Sequence, residues 1–74
     1  MGGKAPDAEV RAIRLLQILE LLEAGPLRAM DLAEQLHVSQ RTIERDLRLL
    51  QRSRLRRRVA LGPSWLWYLV EAGD

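Results

Sequence analysis

Four arginines recur along one stretch of the chain at the spacing of a single helix face. They are Arg41, Arg45, Arg48 and Arg52. At about 100° per residue they lie between about 140° and 200° from Ile43, whereas Leu47 and Leu50 lie within about 40° of it. A guanidinium group carries a planar fork of donors that matches phosphate oxygens and the edge of guanine. The pattern predicts a helix anchored by its apolar side, with a row of cations facing a polyanion. A merely solvated outer face is the alternative.

The first turn of this helix carries side chains that suit the edges of base pairs. Gln40 can pair with adenine, Arg41 with guanine, and Thr42 can contact a thymine methyl group or a phosphate. Ser39 precedes the helix, and its hydroxyl can accept from the unpaired backbone N–H groups of the first turn. We expect the main role of Ser39 to be the cap of the helix, and contact with a phosphate to be its secondary role.

Two acidic residues, Glu44 and Asp46, lie among these arginines in the sequence. We expect Glu44 to form a salt bridge with Arg41, Arg45 or Arg48 rather than to contact cytosine. Asp46 lies about 60° from Ile43, beside the apolar face. We expect it to hold an arginine or a backbone group in place and not to act as a catalytic acid.

The positive charge of the chain is concentrated in one window. Residues 41–58 contain eight arginines and two acidic residues, whereas residues 1–40 contain four basic and six acidic residues. The window ends in Arg56, Arg57 and Arg58, of which the first and third share one face if the segment is a strand. Two of these three suit phosphate contact or insertion into a minor groove, and the third is expected to brace against Asp46 or Glu44. A focused basic patch of this kind indicates a nucleic-acid partner.

Three helices are predicted upstream of this basic end. The first begins near Asp7 and ends at Gly25, where glycine accepts a left-handed conformation and the following proline cannot continue the helix. Its apolar stripe comprises Ala8, Ala12, Leu15, Leu16, Leu19 and Leu22. Ile13, Ile18 and Leu21 lie beside or off this stripe and are either extra core or a surface for another subunit. The second helix covers residues 28–36, His37 and Val38 form a tight turn, and the third helix continues to about Arg52.

The remaining segment has the composition of a hairpin. Residues 55–61 and 65–70 are rich in branched and aromatic side chains, and a Gly-Pro-Ser turn at 62–64 divides them. The predicted fold class is therefore mainly α with a small β-hairpin, a winged helix-turn-helix of three helices and a two-stranded wing. We assign it to residues 7–71, with a disordered N-terminus at 1–6 and a tail at 72–74.

Other chemistries find little support in the sequence. The chain has no cysteine and one histidine, His37, which fits a left-handed turn position better than a metal site. Neither a carboxylate pair nor a nucleophile with its base is apparent, so we expect no enzymatic activity and no cofactor. No segment resembles a signal peptide or is long enough to span a bilayer, so the expectation is a soluble cytoplasmic protein without a membrane partner.

The run LAEQLHVSQRTIERDLRLL, residues 32–50, closely resembles the helix-turn-helix of DeoR-type and WYL-associated bacterial transcriptional regulators. Their shared pattern is roughly L-A-x-x-L-x-V-S-x-R-T-I-x-R-D-L-x-x-L. With the preceding helix and the hairpin, the resemblance covers about residues 10–70. It implies a bacterial or phage domain that binds double-stranded DNA, with Ser39, Arg41, Thr42 and Arg45 facing the nucleic acid.

The chain departs from this pattern in two ways. Arg28 stands where the family usually has a serine or threonine that caps the second helix, so the cap is weaker or the arginine touches a phosphate. Members of the family also continue into a large ligand-sensing domain, whereas the sequence here stops at Asp74. The alternatives are an isolated domain of a longer protein with a C-terminal effector domain and a small stand-alone regulator.

Both faces of the second wing strand are apolar, with Trp65, Trp67 and Leu69 expected on one and Leu66, Tyr68 and Val70 on the other. This suggests that a subunit or a further domain covers one of them. We expect a homodimer, formed partly by this strand or by Ile13, Ile18 and Leu21. A twofold axis would place two DNA-binding helices about 34 Å apart. Two other functions stay open: a winged helix that binds an acidic protein surface, and non-specific nucleic-acid binding.

Overall fold

A computed structural model describes residues 7–71 of the 74-residue chain. The disordered N-terminus predicted for residues 1–6 and the tail predicted for 72–74 lie outside this range. The helices are α1 (Asp7–Glu23), α2 (Ala29–Leu36) and α3 (Gln40–Arg52), and the strands are β1 (Leu27–Arg28), β2 (Arg57–Leu61) and β3 (Leu66–Glu71). The predicted fold class, three helices followed by a wing, is confirmed. None of the helices in the described range is long and apolar enough to cross a membrane.

The wing is part of a three-stranded antiparallel sheet in the order β1-β3-β2. The prediction of a two-stranded wing therefore missed β1, in which Leu27 pairs with Trp67 and Arg28 with Leu66. Two residues are too short to show the alternation that marks a strand. Because β1 pairs with β3, the wing is hydrogen-bonded to the segment that leads into α2.

The first helix ends where the sequence indicates, at a glycine with a positive φ of 150°. The N–H of Gly25 donates to the carbonyl of Leu22 at 3.2 Å, which closes the last turn. The residues of α1 that are buried differ from those of the predicted apolar stripe. Ile18, placed beside the stripe, is fully buried, whereas Leu16, placed on it, is 64% exposed. Only one face of the second half of α1 reaches the core, so the stripe is narrower than the apolar residues suggested.

The turn between α2 and α3 has the predicted geometry. His37 adopts the left-handed conformation with a φ of 58°, and the N–H of Val38 donates to the carbonyl of Ala33 at 3.1 Å. Ser39 caps α3, since the N–H of Thr42 donates to its Oγ at 3.1 Å. These two local features set the direction in which α3 leaves the turn.

The core lies between the three helices and one face of the sheet. Its buried apolar side chains are Ile18, Leu19, Leu22, Ala29, Leu32, Ala33, Ile43, Leu47, Leu50, Val59 and Trp67. In the wing, Trp67 is 8% exposed, whereas Tyr68 on the opposite face is 41% exposed. Trp65 was expected to share the face of Trp67, but it lies in the 3₁₀ turn Pro63–Trp65 that precedes β3.

Candidate nucleic-acid interface

The third helix has one apolar face and one cationic face. Ile43 and Leu47 are fully buried and Leu50 is 1% exposed, so the helix is anchored along its length. The four arginines of the predicted row are all exposed on the other side of the same helix: Arg41, Arg45, Arg48 and Arg52. The orientation inferred from the sequence is confirmed. We call these four side chains the arginine row.

The first turn of α3 is held by hydrogen bonds among its own polar groups. The hydroxyl of Ser39 accepts from the Thr42 N–H and donates to Thr42 Oγ1 at 2.9 Å. The side-chain amide of Gln40 donates to Glu44 Oε2 at 3.1 Å. The partner of Glu44 in this contact is therefore Gln40. The sequence predicted a salt bridge from Glu44 to an arginine and not this hydrogen bond. The network orients Gln40 and Thr42 before any ligand is present.

The second helix is capped by an acidic side chain in place of the missing serine. Arg28 is the N-cap residue, and its backbone N–H donates to Asp31 Oδ2 at 3.1 Å. A guanidinium group has no acceptor, so Arg28 cannot cap the helix with its own side chain. The helix begins one residue later than predicted. The Arg28 side chain is exposed and lines a cleft shared with α3 and the wing turn.

A buried ion pair links α1 to α3. Asp46 is 1% exposed and binds Arg14 through both carboxylate oxygens, with Nη2 of the arginine 3.5 Å from Oδ1. Arg11 approaches the same carboxylate, its Nε lying 3.8 Å from Oδ1. The expectation that Asp46 holds an arginine is confirmed. The pair fixes how α1 lies along α3, and the row of exposed arginines sits next to that contact.

Arg11 extends the positive surface beyond α3, a role that the sequence did not indicate. A cleft of about 290 Å³ between α1 and α3 is lined by Arg11, Arg45, Arg48, Leu49 and Arg52. Four guanidinium groups repel one another unless an anion lies between them. The helical pattern of α1 contains no sign of this role, because the neighbours of Arg11 come from a segment more than thirty residues away.

The wing arginines have different surroundings. Arg57 forms ion pairs with Glu23 at the end of α1 and with Glu71 of β3, the latter at 3.6 Å. The brace expected from one wing arginine therefore uses Glu23 and Glu71, not Asp46 or Glu44. Arg58 lies on the other face of the strand, opposite Val70, and is half-buried. Arg56 is exposed and immediately precedes β2.

The helical bundle, the tight turn before a capped third helix, and the short sheet together define a small winged helix-turn-helix domain. The exposed arginine row lies on the helix that such domains insert into DNA. A family model described as an HTH domain matches residues 14–59, and the chain belongs to this family. Comparisons with curated proteins and with solved structures found no significant match. Membership of the HTH domain family indicates DNA binding and DNA as the partner; such domains are in general not enzymes.

Proposed function

We propose that the protein binds double-stranded DNA in a sequence-specific manner and regulates transcription, with α3 in the major groove. The observation that carries the proposal is the exposure of the arginine row on a helix whose opposite face is buried. A major groove is about 12 Å wide and accepts one α-helix. A helix that served only as a scaffold would not need four cations, unbalanced by acids, along one side.

Base contacts are assigned to the first turn of α3. Arg41 donates to the O6 and N7 atoms of guanine, Gln40 pairs with adenine, and Thr42 contacts a thymine methyl group or a phosphate. Ser39 contacts a phosphate by donating its hydroxyl hydrogen, which the free chain donates to Thr42 Oγ1; the cap itself uses only an acceptor site of this oxygen. The Gln40–Glu44 hydrogen bond supports this assignment, because it limits the positions that the amide can take before binding.

Contacts to the sugar–phosphate backbone of DNA are assigned to the arginines around this turn. Arg45 and Arg48 of the arginine row contact phosphates next to the groove, and Arg28 does so from the start of α2. Of the wing arginines, Arg56, which is exposed, and Arg58 are assigned phosphate contacts. Arg57 is a weaker candidate because its guanidinium already bridges two carboxylates. Such contacts give affinity but no sequence preference.

A selection from random duplex DNA at a stated salt concentration tests the proposal. We expect one enriched sequence, bound at least about a thousandfold more tightly than random duplex, with an affinity that falls steeply as salt rises. Non-specific binding would give a similar salt dependence with little preference among sequences. A protein-binding module would give no measurable affinity for any duplex at low ionic strength, which would refute the proposal.

The protein is further proposed to act in the cytoplasm of a bacterium, or in one infected by phage, as a homodimer. Two of the residues that the sequence suggested for the dimer interface, Ile18 and Leu21, do not suit it. Ile18 is fully buried and Leu21 packs against the core. The large apolar residues exposed on α1 are Val10, Ile13 and Leu16, at 45%, 54% and 64% exposure. They lie within a sector of about 120° on the helix. An effector domain covering this sector is the alternative.

Sedimentation or light scattering at high micromolar concentration tests the dimer. We expect twice the mass of one chain, and a shift toward the monomer when Leu16 is replaced by glutamate, because a charge would have to be buried in the interface. Gln35→Glu is the matched control, since it adds the same charge at an exposed position of α2, outside this sector. A wild-type monomer under these conditions would contradict the dimer and favour the effector domain.

A further inference from the structure

The wing turn holds a large aromatic side chain outside the fold. Trp65 is 75% exposed, whereas Trp67, two residues later, is 8% exposed. Trp65 also has a positive φ of 62°, and the preceding Ser64 has a φ of 60°. Bulky residues rarely adopt this conformation, and it is found preferentially where function requires it. The core gains little from the indole of Trp65, so its position calls for another role.

The surroundings of Trp65 are apolar at the base and charged at the edge. A cleft of about 340 Å³ lies between the wing turn, the start of α2 and α3. Its apolar lining includes Met30, Leu61 and Trp67 together with Trp65. Arg28 and Arg48 line the same cleft, as do Gln40 and Glu44. Arg48 belongs to the arginine row, so the cleft adjoins the face of α3 assigned to DNA.

We propose that Trp65 contacts DNA directly, packing its indole against the deoxyribose of the strand that borders the groove occupied by α3. The inference rests on the proposed function and adds an apolar contact to it. Arg28 and Arg48 suit the phosphates on either side of that sugar. Glu44, held by Gln40, disfavours a phosphate at the centre of the cleft. The group nearest the indole is therefore an uncharged part of the nucleic acid.

Charge complementarity and membership of the HTH domain family favour DNA as the partner. Two arginines line the apolar cleft, and one of them, Arg48, belongs to the face of α3 that carries three further arginines. A sugar–phosphate strand alternates anionic groups with uncharged sugars, and the cleft likewise combines guanidinium groups with an indole. An indole packed on a sugar contributes affinity with little dependence on the base. Because it neutralises no phosphate, it releases no counterions and adds nothing to the salt dependence of binding.

Tryptophan fluorescence and salt-dependent binding test the assignment on the full chain. We expect the emission of the wild-type protein to change on addition of the selected duplex, and Trp65→Phe to lose most of that change, because Trp67 lines the same cleft but is only 8% exposed. Trp65→Ala should raise Kd about tenfold, the value of burying about 60 Å² of apolar surface. It should leave the slope of log Kd against log salt unchanged. Trp65→Phe should restore most of the affinity.

Arg48→Ala is the matched control on the same cleft, and it should lower the salt slope by about one. Wild-type affinity in Trp65→Ala, or a lower salt slope in that variant, would overturn the role of Trp65 while leaving DNA binding intact. A loss of dimer without a loss of DNA affinity would also overturn it and would assign the cleft to a second chain. If the wild-type protein bound no duplex at all, both this inference and the proposed function would fail.

Discussion

Replacing Arg14 by methionine will lower the free energy of unfolding by about 3 kcal/mol. Asp46 is 1% exposed, and Arg14 is the only side chain that meets both of its oxygens among the described residues. The substitution would leave a carboxylate in the core with Arg11 alone, 3.8 Å away. Removing one partner of a buried pair typically costs 3–5 kcal/mol. We expect the lower end because the Arg14 side chain is 16% exposed, which lets water approach.

Urea denaturation measures this loss, and two further variants interpret it. Arg11→Met is the matched control: its side chain is 51% exposed, so the expected cost is less than about 1 kcal/mol. The double variant Arg14→Met with Asp46→Leu removes the whole pair and should recover much of the stability, since well-packed apolar replacements of buried pairs are often neutral. It also keeps the experiment informative if Arg14→Met alone does not fold. An equal loss in Arg11→Met and Arg14→Met would show that the pair is not the cause.

Replacing Arg41 by alanine will weaken binding to the selected DNA site by about 1–3 kcal/mol, or roughly fivefold to 150-fold in Kd. The residue is exposed in the first turn of α3, the part of the helix that contacts base edges in this class of domain. The loss should depend on sequence: it should be large on the selected site and small on a duplex in which the contacted guanine is changed. Titrations of both duplexes by fluorescence anisotropy measure the difference.

Arg58→Ala serves as the comparison for Arg41. It should weaken binding to every duplex alike and reduce the salt slope by about one, as expected for a lost phosphate contact. Arg57 is less suitable for this purpose, because its replacement would also remove ion pairs to Glu23 and Glu71. If Arg41→Ala and Arg58→Ala changed affinity in the same way across sequences, base contact by Arg41 would be ruled out.

The stability and binding predictions are connected through the position of α3. Asp46 lies on the flank of α3 that faces α1, and its partner Arg14 comes from α1. The same contact places Arg11 beside Arg45 and Arg52 in one cleft. Beyond its effect on stability, Arg11→Met is therefore expected to reduce the salt slope of DNA binding by about one. An arginine outside the helix-turn-helix would then contribute to the DNA-binding surface.

Local features of the chain were sufficient to predict the element that carries the proposed site. The limits of α3, its cap at Ser39 and the left-handed turn at His37 follow from interactions between residues at most a few positions apart. The outward direction of the arginine row follows from helical geometry once Ile43, Leu47 and Leu50 are assigned to the core. Each of these inferences needs no knowledge of what else packs nearby, which is why they agree with the structure.

The features that were missed all depend on partners far apart in the chain. Strand β1 exists because Leu27 meets Trp67, and Arg14 belongs to the site's support because it meets Asp46. The burial of Ile18 and the exposure of Leu16 depend on which side of α1 the other elements cover. Periodicity marks residues that are able to be buried, but it carries no information on which neighbour buries them. Pairing across the fold assigns those neighbours, and it also places Trp65 and Arg11 at the two sides of α3.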